Sequence, residues 1–204
     1  MNVIGAGKVS RTLMSLTRDA VGFTLRDIAS SREESARAAV TAVSGGRAVA
    51  SFAGMRPADL WFLTVPDDAI AGVAHELAGV STLARGEPGA PRPVADHCSG
   101  FLPSEALAPL RDLGWLTASC HPVRSFADPD LAARQFPGTL CGIEGDAAAV
   151  PRIEAFVSAI GGRPFAVTAE KKALWRSPSK HRNLCRDMVP SWNPSGYRPL
   201  RLRD

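Results

Sequence analysis

Two groups of residues in this chain of 204 could do chemistry. The first is Gly5-Ala6-Gly7-Lys8-Val9-Ser10, close to the start, which supplies the first two glycines of a G-x-G-x-x-G turn and has Ser10 where the third would stand. The first glycine permits a tight turn, and the second lacks the Cβ that would keep a pyrophosphate from the backbone. Amides at the start of the helix that follows, at the positive end of its dipole, would face the phosphates. A tight turn that binds nothing is the alternative. The second group is Ser99 and His121, each just past the carboxyl end of a predicted strand, the edge where open α/β sheets gather their ligands. A histidine, with its near-neutral pKa, suits a general base. A histidine that only fixes the turn before Pro122 is the other reading.

The residues after the second predicted strand bear on the choice of cofactor. NAD sites commonly place Asp or Glu there against the ribose 2′-hydroxyl, whereas NADP sites use small polar and basic residues around the 2′-phosphate. This chain reads Ile28-Ala29-Ser30-Ser31-Arg32 and has no carboxylate before Glu33. Ser30, Ser31 and Arg32 therefore fit NADP. Asp27 would sit on the ribose if the strand ended about three residues earlier, and a solvated serine pair with a surface arginine is the plain alternative. Farther on, Val65-Pro66-Asp67-Asp68 ends a predicted strand. Proline stops the strand, and either aspartate can cap the next helix.

The elements that must position these residues follow from hydrophobic periodicity. Short apolar runs predict strands at Asn2–Gly5, Gly22–Ala29, Arg47–Ala50, Leu60–Val65, Pro93–His97, Trp115–Cys120, Thr139–Glu144 and Pro164–Val167. Between them, helical spacing or helix-start residues mark Lys8–Arg18, Glu33–Val43, Asp68–Leu77, Pro103–Leu113 and Asp146–Ile160. Strand and helix alternating in this way predict a doubly wound, mostly parallel sheet with right-handed crossovers.

A hydrophobic content of 45% suits a packed core, and no apolar run is long enough for a membrane span or has the flanks of a secretory signal. The cytoplasm is the expected compartment, with no membrane partner. Cys98, Cys120, Cys141 and Cys185 are far apart and the histidines form no ligand cluster, so free thiols and no metal are expected. The net charge of +4 is unevenly placed: residues 171–204 carry nine Lys or Arg against two Asp, which leaves the body mildly acidic. A nucleic-acid partner is not expected.

Four segments, VIGAGKV at 3–9, LTVPDDAI at 63–70, HCSGFLPSEAL at 97–107 and HPVRSFADP at 121–129, together with the looser IEGDAAAV at 143–150, resemble the Rossmann-like proteins that bear the domain of unknown function numbered 2520. Those are relatives of prephenate dehydrogenases, pyrroline-5-carboxylate reductases and deazaflavin-dependent NADP reductases. The resemblance implies a Rossmann-like dinucleotide-binding domain over residues 1–170, of which about 119–170 would be the later strands and the start of the family's second region. It also implies an oxidoreductase that moves hydride between NADP and a small organic substrate, with His121 as base, Ser99 as its supporting hydrogen-bonder, and the backbone of Val65, Pro66 and Asp67 bordering the cofactor. Relatives would continue into a helical domain that dimerises. Here residues 171–204 are a basic, proline-containing, irregular tail, and the abrupt change at Arg176 suggests a frameshifted or truncated reading frame. The start is also lean, with three residues before Ile4. A homodimer is expected of the family but not clearly of this chain. Two further readings stay open: a dinucleotide-binding module without catalysis, and an inactive fragment.

Overall fold

A computed structural model describes residues 1–80, 83 and 91–173. The expectations for the tail beyond Ala173 lie outside the described residues. Eight strands form one sheet: β1 Asn2–Ile4, β2 Asp27–Ala29, β3 Arg47–Val49, β4 Leu60–Leu63, β5 Val94–His97, β6 Leu116–Pro122, β7 Leu140–Gly145 and β8 Arg163–Ala166. The helices are α1 Lys8–Arg18, α2 Glu33–Val43, α3 Asp67–Ala78, α4 Ala108–Arg111, α5 Pro129–Arg134, α6 Val150–Ala159 and α7 Ala169–Ala173. The strand order is β3-β2-β1-β4-β5-β6-β7-β8. All neighbours are parallel except β6 and β7, which are antiparallel.

Alternation along the strands sends side chains into two cores, one on each face. Val3, Ile28, Phe62, Val94, Ala118 and Ile143 face α1, α2 and α6, where Leu13, Ala39 and Phe156 meet them. Ile4, Ala29, Trp61, Leu63 and Ala95 face the other way, against Ile70, Ala74 and Leu77 of α3 and Leu110 of α4. Aromatic contacts lie in each layer, Phe62 with Phe156 at 4.7 Å between centroids and Trp61 with Trp115 at 5.2 Å. Each large apolar side chain buried in this way contributes roughly 1.5–3 kcal/mol. Among the described residues no helix is long and apolar enough to cross a membrane.

The structure departs from expectation in several places, among them helix α7 at Ala169–Ala173, whose last three residues were assigned to the irregular tail. The second strand occupies only Asp27–Ala29 rather than starting at Gly22, because β1 offers a partner only from Asn2 to Ile4. The helix expected over Pro103–Leu113 is a 3₁₀ turn at Ser104–Leu107 followed by the single turn of α4. Helix α5 was not anticipated, although Asp128 caps it by accepting from the Leu131 amide at 2.7 Å and Pro129 opens it. Its six residues are too few to show a helical period.

Candidate functional site

The carboxyl ends of β1 to β4 are level with one another: Ile4 pairs with Ala29 and Leu63, and Ala29 with Val49. The residues just beyond each strand therefore gather at one edge. They enclose a cavity of about 770 Å³ where the sheet order reverses between β1 and β4, the position at which open α/β sheets bind ligands. Gly5, Ala6 and Gly7 line it from the β1 side, Ser30, Ser31 and Arg32 from β2, and Val65 and Pro66 from β4.

The glycine turn is built for close approach. Gly5 has φ +117°, and a Cβ there would lie 2.6 Å from the Thr64 carbonyl oxygen, so both its conformation and the space require glycine. Gly7 has extended backbone, and a Cβ there would meet no protein atom within 4 Å; it would point into open space at the mouth of α1. Ser10, in the place of the third glycine, is buried and shares a 2.6 Å hydrogen bond with the Thr64 hydroxyl, which in turn donates to the Ile4 carbonyl. A small side chain thus serves the tight helix–strand packing that the third glycine usually allows. Lys8 is exposed outside the cavity lining, and Val9 packs toward the core.

Asp27 takes no part in the cavity. Its carboxylate is fully buried and accepts from the Arg47 and Arg56 guanidiniums at 2.8–3.2 Å and from the Arg56 amide at 2.6 Å. Burial alone would raise its pKa, but the hydrogen bonds from Arg56 and Arg47 outweigh burial and hold the group well below the usual carboxylate range. Among the described residues that directly follow β2, no carboxylate lines the cavity. Ser35 in the first turn of α2 joins Ser30, Ser31 and Arg32 in the lining, while Glu33 of that turn is drawn off by an ion pair with Arg37.

Ser99 and His121 are neighbours, but they do not line this cavity. The Ser99 hydroxyl donates to the Asp67 carboxylate at 2.8 Å and accepts from the amides of Phe101 and Leu102 at 3.1 and 2.9 Å, so its hydrogen-bonding capacity goes to fixing the loop after β5. Asp67 accepts that bond from the first turn of α3 and makes no capping bond there. His121 lies inside β6, opposite Gly142, because pairing with β7 extends the strand past the predicted end at Cys120. Its Nδ1 meets the Cys98 carbonyl at 3.3 Å. The ring covers Gly100 so closely that a Cβ there would come within 2.7 Å of it.

Beneath them lies a polar cluster that sequence reasoning missed. Buried Lys172 of α7 donates to the Ser119 hydroxyl and stands 3.8 Å from Glu144. Glu144 accepts from the Ser104 amide and hydroxyl at 2.6 and 2.8 Å. Ser119 also lies 3.2 Å from His97 Nδ1, and His97 Nε2 lies 3.0 Å from the Pro103 carbonyl. Burial, helped by Lys172, lowers the His97 pKa to about 4 and keeps the ring neutral. On the opposite face of the sheet, burial pushes the Asp96 carboxyl well above its ordinary value, against the pull of Lys172. A polar residue inside an apolar strand, such as Ser119 between Ala118 and Cys120, was the signal available in the sequence.

A sheet of this order, with a glycine turn at the first crossover and a cavity at the reversal, defines a doubly wound α/β protein of nucleotide-binding architecture. Residues 1–122 match the Rossmann-like domain family, and the chain belongs to it. No curated protein matches. Among solved structures, the chain is similar to protein TM1727 from Thermotoga maritima, with 23% identity and a TM-score of 0.62 over 91% of this chain and 62% of that one. It is also similar to BF3122 from Bacteroides fragilis, provisionally classed as an NADP oxidoreductase, with 21% identity and a TM-score of 0.68 over 91% and 64%. Prephenate dehydrogenase from A. aeolicus, solved with hydroxyphenyl propionate and NAD+, gives 14% and 0.65 over 96% and 73%. The chain thus spans less than two thirds of the length of the first two.

Proposed function

We propose that the cavity at the β1–β4 reversal binds NADP, and that the chain is by ancestry an oxidoreductase moving hydride between the nicotinamide and a small organic substrate. The observation that carries the cofactor choice is the pairing of two facts: Ser30, Ser31, Arg32 and Ser35 line the cavity beyond the glycine turn, and Asp27 is locked away by two arginines. The kinship read from the sequence with proteins bearing the domain of unknown function 2520, and with NADP reductases, supports the same choice. His121 is the base in this reading. Ser99 acts on the loop rather than on substrate, since its hydroxyl is already committed. A binding module without catalysis is the second reading, favoured by the absence of both Ser99 and His121 from the cavity lining.

Calorimetry tests the cofactor choice. NADPH should bind more tightly than NADH, and Arg32→Ala should narrow the difference by about ten- to a hundredfold, the worth of a charge-assisted hydrogen bond to phosphate. Equal affinities, or tighter NADH, overturn it. Turnover of NADPH with a panel of carbonyl and imine compounds, against tight binding without turnover, separates the enzyme from the module.

A further inference from the structure

Among the described residues, the cavity lining holds one cation, Arg32, and one anion, Glu76. A carboxylate is out of place beside a ligand bearing several phosphate charges unless it stands well away from them. Its position on α3 resolves the conflict. Ala69, Val73 and Glu76 recur at steps of four and three and share one stripe of the helix, which lines the cavity. Glu76 is seven residues beyond Ala69, about 10 Å along the axis at 1.5 Å per residue, and so lies far from the strand end at Pro66. Phe52, in the 3₁₀ turn after β3, lines the same cavity. Phe52, Ala69 and Val73 supply apolar walls, and Glu76 supplies an exposed acceptor at their margin. That combination suits a flat base with two apolar faces and a donor on its edge.

The geometry points to Glu76 as a specificity-determining residue that accepts a hydrogen bond from the exocyclic amine of adenine, with Phe52 against the base. This rests on the NADP reading of the cavity and extends it from the phosphates to the base. Hypoxanthine carries a carbonyl oxygen where adenine carries the amine, so in the hypoxanthine dinucleotide a carbonyl dipole and the Glu76 carboxylate repel.

The test is calorimetry of NADPH and of its reduced hypoxanthine counterpart against the wild type, Glu76→Gln and Phe52→Ala. An exposed charged acceptor should give the wild type about a tenfold preference for NADPH. Glu76→Gln, whose amide can donate to the carbonyl, should bring the two within about threefold while leaving the melting temperature unchanged. Phe52→Ala should weaken both ligands alike. Equal wild-type affinities, or a preference that survives in Glu76→Gln, overturn the assignment of Glu76 and leave the cavity reading standing. A wild type that binds neither dinucleotide overturns the cavity reading and this inference with it.

Discussion

The two glycines of the β1–α1 turn should fail in opposite ways when substituted. Gly5→Ala places an L-residue at φ +117° and drives its Cβ to 2.6 Å from the Thr64 carbonyl at the end of β4. The conformation costs roughly 1–2 kcal/mol, and relieving the overlap requires β1 and β4 to part by some tenths of an ångström. A total near 3 kcal/mol would lower Tm by about 6–12 °C in a domain of this size. Gly7→Val meets no protein atom within 4 Å and keeps an extended backbone that valine adopts readily, so the fold should melt within about 2 °C of the wild type. Its side chain instead fills the space above the α1 amides. Losing two phosphate hydrogen bonds of about 1.5 kcal/mol each weakens NADPH at least a hundredfold. Thermal melts and calorimetry on both variants check this. A Gly7→Val protein that binds NADPH at wild-type affinity refutes the phosphate turn, and a Gly5→Ala protein with unchanged Tm refutes the packing account.

Asp27→Asn should cost about 1–3 kcal/mol in urea unfolding at pH 7, because it takes the charge out of the buried hydrogen bonds that Arg47 and Arg56, themselves half exposed, donate to it. As the folded pKa of Asp27 is depressed, its contribution is complete above the unfolded value near 3.9 and fades only below it. Between pH 7 and 5 the loss in Asp27→Asn should therefore stay constant. His97 acts in a higher window. Its folded pKa of about 4 lies below the unfolded 6.5, so the unfolded chain takes up the proton first and stability falls as pH drops through that interval, by up to about 3 kcal/mol. Unfolding of His97→Gln between pH 7 and 4.5 should show a flatter dependence than the wild type, and parallel curves would show that the ring is not held neutral.

Period and punctuation made the parallel half of the fold legible. Every strand overlaps a predicted apolar run, and the central strands β1 and β4, buried throughout, read as near-continuous hydrophobic stretches. The glycine turn and the Ser30–Arg32 segment were legible for the same local reason, as each chemical group lies on one short piece of chain. What stayed hidden depends on contacts between distant pieces. Asp27 could not be told from a ribose ligand until Arg47 and Arg56 arrived from 20 and 29 residues away. The saturation of Ser99 depends on Asp67, a residue of another crossover. Antiparallel β7 carries the same apolar pattern that a parallel strand would, so its direction was not encoded in periodicity.

That reversal has a bearing on where the chain can be cut. The match to the Rossmann-like family ends at Pro122, the last residue of β6, which suggests a natural boundary there. The sheet does not end with it. The outer side of β6 is covered from Ala118 to Pro122 by β7, and β8 lies beyond. A fragment stopped at residue 122 would present β6, seven residues long, as a bare edge with unpaired amides and carbonyls. Its inner side would lose the packing of Ile153, Phe156 and Val157 on the core. Long strand edges left unpaired recruit further strands. The β7–α6–β8 segment thus replaces a seven-residue edge at β6 with the four-residue edge of β8.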